Sequence, residues 1–448
     1  MGISNRSKLP PGPKSILPIS ILLNFRRDSI RFLKDIAMKY GDIVHFKIGT
    51  IRIVLLNHPD FIKEVLSSQH TNFIKGRPLK MTKELLGNGI LTSEGEFHKQ
   101  QSQIIQPAFH RKMIDSYAIE MTNCITDLMN SWEEGMKVDI KHEMTKMSLA
   151  IAGRTLFSIN LDREAPEIIS ALTTASNLFG RVTVPFSELL IKLPLPSTFR
   201  FYKAKAILDD TIYRMIDERR ESNDHYSDLL SLLLEAQKGN GEGISNKQVR
   251  DEALTLFLTA FDTTSNALNW TWYLLSQNPE AEQEMHKEID SVLRGRIPTA
   301  EDIAQLKYTR MVFGESMRVF PPSWVLAREA LNDFSIDKYV IPGGALILMS
   351  PYLIHHDSRF RKDPEKFDPN AWDEHSRSHN AKYEYFPFGG GPRACIGQSF
   401  AWMEGILTLA TIGQLWKVKL APGHRVELLQ GINLRPKYGM MMTLHRRK

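Results

Sequence analysis

The feature that most constrains this chain is the segment from Phe388 to Gly397, which reads FGGGPRACIG. Its cysteine follows three consecutive glycines, which let the backbone turn toward the sulfur where side chains would clash. Pro392 removes one competing N–H donor and stiffens the turn. A cysteine that binds a metal must be a thiolate, and its charge needs nearby backbone donors and a positive field. The segment therefore fits Cys395 as an axial ligand of haem iron.

Two further residues of the segment suit this role. Arg393 can pair with a haem propionate through two parallel hydrogen bonds. Gly397 lies at the start of an apolar run that ends at Trp416, and it would let a helix pack close beneath the porphyrin. The alternative interpretation is a glycine-rich turn around a buried structural cysteine, which is what most lone cysteines are.

The segment resembles the ligand loop of the cytochrome P-450 family of haem-thiolate monooxygenases, F-G-x-G-x-R-x-C-x-G. The residues that match its fixed positions are Phe388, Gly389, Gly391, Arg393, Cys395 and Gly397. The resemblance covers nearly the whole chain. It implies haem b as the cofactor, Cys395 as the iron ligand, and Phe388, Gly389 and Gly397 at the haem beside the sulfur.

The same resemblance implies a mainly α fold with a small β-rich lobe, in one large domain over residues 1–448. The lobe is expected mainly at 40–75 and 325–350, and no fused reductase is expected because no residues are left over for one. With 42% hydrophobic and 24% charged residues, the composition is that of a folded globular protein and excludes a disordered chain.

Charge and cysteine content exclude some functional classes. The net charge of +6 is spread along the chain without a dense basic tract, so nucleic-acid binding is not expected. A basic face would instead suit an acidic electron-donor protein. The two cysteines, Cys124 and Cys395, lie far apart, which suits a reducing cytoplasm. Cys124 falls in an apolar helical pattern and is interpreted as an inert core residue.

No transmembrane anchor and no signal peptide is predicted. The most apolar run near the N-terminus, Ile16 to Phe25, has about half the length that spans a bilayer. It follows a proline-rich stretch that would break a helix. We therefore expect a cytoplasmic protein. A monomer is also expected.

Local patterns predict the elements before the central helix. Alternating apolar residues at 44–48 and 51–55 predict a β-hairpin. Residues 73–95 are rich in glycine, proline and lysine and predict a long loop; the resemblance implies that this loop covers the substrate pocket and brings Leu85 and Leu86 to it. Periodicity is helical from 97 to about 220, apart from an interruption at Gly180 and Pro194 that would form a mobile lid.

Residues 246–276 predict a long helix that carries Asp262 and Thr263 on its apolar face. An acid followed by a threonine on a buried face is costly unless the pair has a task, and proton delivery to reduced dioxygen is such a task. The alternative is a threonine that bonds back to its own helix beside a surface aspartate. The family pattern A-G-x-[DE]-T-T is altered here, since Thr259 and Ala260 replace its first two residues.

The pair Glu315 and Arg318, followed by a proline-containing turn, resembles the E-x-x-R motif, which implies a structural clamp for the ligand loop. The usual third member is an arginine in P-E-x-F-x-P-x-R, but Ala371 stands there. The haem propionates need cations or donors: Arg393, Arg328 and His98 are the candidates, while Ser102 replaces a usual arginine. The neighbouring His355 and His356 are interpreted as structural, since on an extended chain they would point to opposite faces, and no metal besides haem iron is predicted.

The resemblance implies insertion of one oxygen atom of dioxygen into a hydrophobic substrate, by hydroxylation or epoxidation. Electrons would come from NAD(P)H through a reductase and a ferredoxin- or flavodoxin-like partner. The proposed pocket walls are mainly apolar and favour a fatty acid, terpenoid, steroid or polyketide. They include Leu85, Leu86, Phe257, Ala260, Val325 and Leu326, with the region of Met440 and Met441.

Two rival functions stay open. A haem-thiolate peroxygenase or isomerase would need no electron donor, and such enzymes often lack the acid–alcohol pair. A non-catalytic haem sensor would need no proton relay. Turnover with peroxide alone, compared with turnover through a redox chain, discriminates between the first rival and a monooxygenase. Haem binding without substrate-driven NAD(P)H consumption would identify a sensor.

Overall fold

The computed structural model describes residues 9–13, 18–179, 193, 195–222, 224, 226–238, 243–372 and 382–447. Most of this part is helical. The helices are α1 (Pro18–Arg27), α2 (Ser29–Tyr40), α3 (Pro59–Lys63), α4 (Arg77–Leu86), α5 (Gly95–Ile105), α6 (Arg111–Met129), α7 (Ile140–Leu156), α8 (Ala165–Phe179), α9 (Pro196–Glu221), α10 (Leu229–Gln237), α11 (Asn246–Gln277), α12 (Pro279–Leu293), α13 (Lys307–Val319), α14 (Pro351–His355) and α15 (Gln398–Leu415).

The strands are short and form small sheets. They are β1 (Ile43–Ile48), β2 (Ile51–Leu56), β3 (Phe73–Ile74), β4 (Lys137–Asp139), β5 (Leu326–Ala330), β6 (Phe334–Ile336), β7 (Tyr339–Ile341), β8 (Leu346–Met349), β9 (Trp416–Leu420), β10 (Leu428–Gln430), β11 (Leu434–Pro436) and β12 (Met441–Arg446). The predicted mainly helical fold with a small β-rich part is thereby confirmed.

The largest sheet has the strand order β1-β2-β8-β5-β3. Its first two strands form the predicted hairpin, with Ile43 opposite Leu56 and Ile48 opposite Ile51. Strand β8 joins β2 in parallel and β5 in antiparallel orientation. A three-stranded sheet, β4-β12-β9, and two hairpins, β6-β7 and β10-β11, complete the described strands.

The long helix α11 passes through the middle of the fold. Ser245 caps its N-terminus by accepting a hydrogen bond from the backbone N–H of Gln248. Its side chains are buried on almost every face, and Trp270 and Trp272 are fully enclosed. A helix buried all round is the centre of a large core rather than a surface element, so its few polar side chains need partners inside the protein.

Helix α15 runs directly from the cysteine loop into the core. Gly405 allows it to approach α13 closely, because a Cβ atom there would lie only 2.3 Å from the ring of Phe313. The middle of α15 is buried throughout. The cysteine loop is therefore fixed to the core at its C-terminal end.

Three local expectations were wrong or fall outside the described residues. Residues 77–86 form α4 rather than a loop, because a glycine precedes the helix and a proline occupies its first turn. The predicted interruption at Gly180 and Pro194 lies outside the described residues. His355 ends a short helix rather than lying on an extended chain. Within the described part, no helix has both the length and the apolar character that crossing a membrane requires.

Candidate active site

A cavity of about 1180 Å³ lies between α11 and the cysteine loop. It is lined by most of the residues that the sequence singled out. These are Cys395, Arg393, Arg328, His98, Phe388, Gly389 and Gly397 from the predicted haem site, Asp262 and Thr263 on α11, and the predicted pocket residues Leu85, Leu86, Ala260, Val325 and Leu326. The fold thus brings together side chains that are more than 300 residues apart.

The backbone of the cysteine loop explains its glycines. Gly389 and Gly391 have φ angles of 72° and 67°, a region that side chains disfavour. A Cβ atom on Gly391 would lie 1.7 Å from the carbonyl oxygen of Leu66. The N–H of Cys395 donates to the carbonyl of Phe388 over 2.9 Å, which closes the loop. The loop that holds the sulfur therefore requires glycine at position 391 and favours it at position 389.

The thiol of Cys395 faces the cavity, where its surface is accessible. Burial within the fold raises its pKa, while the N–H of Gly397 and the positive charge of Lys75 act in the opposite direction. Both opposing influences favour the thiolate, which is the form that binds a metal. Cys124, in contrast, is buried in the apolar core, and burial raises its pKa to about 12, in agreement with an inert role.

Three cations surround the cavity near the sulfur: Lys75, Arg328 and Arg393. Arg393 donates to the carbonyl of Ser93 at 2.6 Å and to Glu94 at 3.2 Å, but its buried Nη1 has no partner. Burial lowers the pKa of Arg393 and of Arg328, and the charge of Glu94 opposes this. Glu94 offsets only one of these cations, so an excess of positive charge remains near the sulfur, as two propionates would require.

Lys75 was missed by the sequence analysis. Burial, together with the charges of Arg328 and Arg393, lowers its pKa to about 7. A lone lysine between Ile74 and Gly76 gives no signal in the sequence. Its role becomes visible only through the fold, which places it beside two arginines and the sulfur.

These residues fit a haem group on three counts: an accessible thiol held by a glycine loop, a surplus of buried positive charge, and an unpartnered arginine nitrogen. His98 and Ser102 both line the same cavity from α5. No cluster of histidine, cysteine or acidic side chains that could hold a separate metal ion occurs among the described residues.

On α11, Asp262 is held by two side chains from the far end of the chain. Arg435 Nη2 lies 2.6 Å from its Oδ1 and 2.5 Å from its Oδ2, and Asn433 Nδ2 lies 2.6 Å from Oδ2. Thr263 donates its hydroxyl to the carbonyl of Thr259 at 3.1 Å. The back-bonded threonine of the alternative interpretation is therefore present, but the aspartate is an ion-paired cavity residue rather than a simple surface one.

The clamp between Glu315 and Arg318 is fully buried, and its members are joined through two hydrogen bonds of 2.8 and 2.9 Å. Arg318 also donates to the carbonyls of His355, Pro364 and Lys366, which ties α13 to the segment before the cysteine loop. The position of Ala371 is compensated by Arg361, whose Nη2 lies 3.1 Å from Oε2 of Glu315.

Trp372 also donates to Glu315, through Nε1 at 2.6 Å. The neighbouring histidines are structural: His355 accepts from the N–H of Phe386, and burial lowers its pKa well below the ordinary value. Burial also lowers the pKa of His356, to about 4. Both rings are therefore neutral at physiological pH.

Phe257 does not line the cavity, so its assignment to the pocket was wrong. Its ring packs against the core residue Phe157 at 5.7 Å and against Phe261, which itself lines the cavity, at 5.9 Å. The C-terminal wall of the cavity is formed by Ile432 and Asn433, whereas Met440 lies fully buried in the core. Helical periodicity identifies a buried face but does not separate core from cavity when a helix is buried all round.

Comparisons with known proteins agree with this geometry. The sequence model of the family described as Cytochrome P450 matches residues 10–442. Cyclooctatin synthase of Streptomyces melanosporofaciens is 34% identical over 94% of this chain and 92% of its own length. Cyclooctat-9-en-7-ol 5-monooxygenase of the same organism is 34% identical over 92% and 90%. Pentalenene oxygenase of Streptomyces avermitilis is 30% identical over 88% of each chain.

Proposed function

The chain belongs to the cytochrome P450 family, and we propose that Cys395 holds haem b in the cavity as its thiolate ligand. The observation that carries this proposal is the accessible Cys395 thiol, which faces a large cavity whose rim has more buried cations than carboxylates. Lys75, Arg328 and Arg393 would hold the two propionates, with His98 at the same rim. Glu315 and Arg318 would keep the ligand loop in place.

The protein is a monooxygenase: one atom of dioxygen enters an organic substrate and the other leaves as water, with two electrons and two protons consumed. When bound, the haem supplies the activation of dioxygen, and a thiolate ligand favours cleavage of the O–O bond. We propose that Asp262 and Thr263 move protons between solvent and the cavity. The support is their place in the cavity wall on α11.

For the substrate, we propose a hydrophobic cyclic alkene or alkenol of terpenoid type. Two relatives are named for cyclooctat-9-en-7-ol and pentalenene, and both cover most of the chain. Much of the cavity lining is apolar, with Leu85, Leu86, Ala260 and Ile432 among its residues. Such walls favour a ligand held mainly by burial of apolar surface.

The electron source is proposed to be NAD(P)H, through a reductase and a ferredoxin- or flavodoxin-like donor. The net charge of +6 supports an acidic partner. A single haem-binding domain, a monomeric state and a cytoplasmic location stay predictions.

The test is the absorbance spectrum of the reduced protein under carbon monoxide. The parent protein should show the Soret band typical of thiolate ligation, and Cys395→Ala and Cys395→His should lose it. Cys124→Ala is the matched control and should keep the band. Retention of the band in Cys395→Ala would refute the ligand assignment.

Substrate class is tested by titration with pentalenene, cyclooctat-9-en-7-ol and palmitate, with the spin-state shift of the haem as the readout. The cyclic compounds should produce the shift at lower concentration than palmitate. A response to palmitate alone would overturn the terpenoid proposal and leave the ligand assignment intact. Product formation with peroxide alone, and none through the redox chain, would favour a peroxygenase.

A further inference from the structure

The two partners of Asp262 belong to one element that also forms part of the cavity wall. Arg435 lies on β11, and Asn433 directly precedes that strand. The turn that joins β10 to β11 contributes Gly431, Ile432 and Asn433 to the cavity lining. A ligand that fills this end of the cavity therefore contacts the same short hairpin that binds the acid.

The carboxylate is engaged at both oxygens. Arg435 bonds to Oδ1 and Oδ2, and Asn433 adds a second donor at Oδ2. The side chains of Asp262 and Arg435 are 35% and 22% exposed, so water reaches the pair. Each carboxylate oxygen can accept two hydrogen bonds, so these three contacts occupy most of the acceptor sites of Asp262, and a proton taken up there would replace its charged pair with Arg435.

The hairpin is anchored to α11 at a second point, independent of the acid. The carbonyl of Leu434 accepts from Nδ2 of Asn266 at 2.7 Å and from Nε1 of Trp270 at 2.8 Å. Leu434 is fully buried, whereas Ile432 at the turn is 52% exposed. A shift of the turn would therefore pivot about Leu434 and change the position of Asn433 relative to Asp262.

Lys141 on α7 is another cation near this pair. Burial lowers its pKa, and the charge of Arg435 acts in the same direction, while Asp139 and Asp262 oppose it. Asp262 would therefore keep a neighbouring positive charge if Arg435 released it. Breaking the Asp262–Arg435 pair would therefore cost less free energy than leaving a buried carboxylate with no cation nearby.

We propose that Arg435 is a positioning residue that restrains proton entry through Asp262 until a ligand loads the β10–β11 turn. This inference rests on the proposed monooxygenase function. The ligand-free protein would keep both carboxylate oxygens engaged. A ligand against Ile432 and Asn433 displaces the turn and frees one oxygen, which takes a proton from solvent and passes one to the cavity, so that the carboxylate returns to its charged form.

Thermodynamic linkage gives the proposal a specific signature. If a ligand must loosen the Asp262–Arg435 pair in order to bind, part of its binding free energy is used for that step. Removal of the pair removes this cost, so the ligand binds more tightly. If the contact between Asp262 and Arg435 were only structural, its loss would weaken ligand binding or leave it unchanged. A restraint on proton entry also limits NAD(P)H consumption in the absence of ligand, and this consumption should rise when the restraint is removed.

The experiment compares Arg435→Gln, Arg435→Lys and Asp262→Asn/Arg435→Gln with the parent holoenzyme. Arg425→Gln is the matched control. Arg425 is an exposed arginine near the same hairpin, and it pairs with Glu427 rather than with Asp262. We expect Arg435→Gln to bind pentalenene about fivefold more tightly and to consume NAD(P)H without ligand about fivefold faster. Arg435→Lys should restore most of the parent behaviour. The double variant should lose the faster consumption, since the proton route through Asp262 is then absent.

A double-mutant cycle in urea gives a readout that is independent of turnover. Asp262→Asn and Arg435→Gln should be coupled by about tenfold in the unfolding equilibrium constant, and pentalenene should reduce that coupling. The proposal would be overturned if pentalenene had the same effect on Arg435→Gln as on Arg425→Gln, including no effect on either variant. A parent protein without the thiolate-type carbon monoxide band would instead refute the proposed function, and the urea cycle would still show whether the pair exists.

Discussion

Arg361 Nη2 lies 3.1 Å from Oε2 of Glu315, and thereby supplies the cation that the sequence lacks at position 371. Glu315 is fully buried and accepts hydrogen bonds from Arg318, Arg361, Trp372 and the backbone of Asp368. Such a carboxylate is stable in the core only when its partners are complete. The clamp thus contains a third cationic member in this protein, although that member comes from position 361 rather than 371.

The first prediction concerns Arg361 as the substitute for a cation at position 371. Arg361→Ala should lower the free energy of unfolding by about 3 kcal/mol, because it removes one charged partner of a buried carboxylate. Urea denaturation measures the loss, and the exposed neighbour Lys362→Ala serves as the control. Equal stability of the two variants would show that Arg318 and Trp372 satisfy Glu315 without Arg361.

The second prediction concerns Glu404 on α15, whose pKa is raised by burial from 4.5 to about 8. Between these two pH values the folded state keeps a proton that the unfolded state has lost. Stability should therefore fall as pH rises through this window, by about 5 kcal/mol at most. Ser148 bonds to Oε1 at 2.5 Å, and this contact can persist with a neutral side chain.

Glu404→Gln should make the protein more stable at pH 8 and flatten this dependence, measured as the free energy of unfolding at pH 5, 7 and 9. Part of the slope should persist, because burial also raises the pKa of Glu252 to about 8. The exposed Glu133→Gln is the control and should keep the parent profile. An unchanged slope in Glu404→Gln would contradict the assignment of a neutral Glu404.

The third prediction concerns Lys75, which faces the sulfur end of the cavity. Lys75→Met should release haem about tenfold faster, because one of three cations for two propionates is lost. Lys75→Arg should retain haem nearly as well as the parent. Transfer of haem to apomyoglobin measures the rate, with the exposed Lys63→Met as the control. Identical rates for Lys75→Met and Lys63→Met would remove Lys75 from the haem rim.

The fourth prediction concerns Thr263, whose hydroxyl bonds to the carbonyl of Thr259. Thr263→Ala should keep NAD(P)H consumption while product falls about tenfold and peroxide rises, because a proton donor at the cavity is lost. Thr263→Ser should retain most of the product yield. Thr264→Ala, which removes the corresponding bond to Ala260, should change the yield less. Unchanged product per NAD(P)H in Thr263→Ala would assign Thr263 a purely structural role.

Much of the site could be predicted because its residues are fixed by local chemistry. Gly389 and Gly391 have φ angles that other residues disfavour, and this requirement is visible within one short segment of the sequence. The same holds for α11, whose length and apolar repeat follow from one continuous segment. Phe257 was misplaced because both sides of that helix are apolar, and only the packing against Phe157 distinguishes them.

The sequence by itself located the cysteine loop and the Asp262–Thr263 pair, since each depends on neighbours within about ten residues, and the family resemblance implied the mainly helical class. Only the tertiary structure decided which cations lie beside the key residues of these motifs. Lys75 joins Cys395, Arg361 joins Glu315, and Arg435 joins Asp262 across 46 to 320 positions of the chain. Charges interact through space and carry no periodic signal along the chain, so their partners emerge only when the fold brings them within reach.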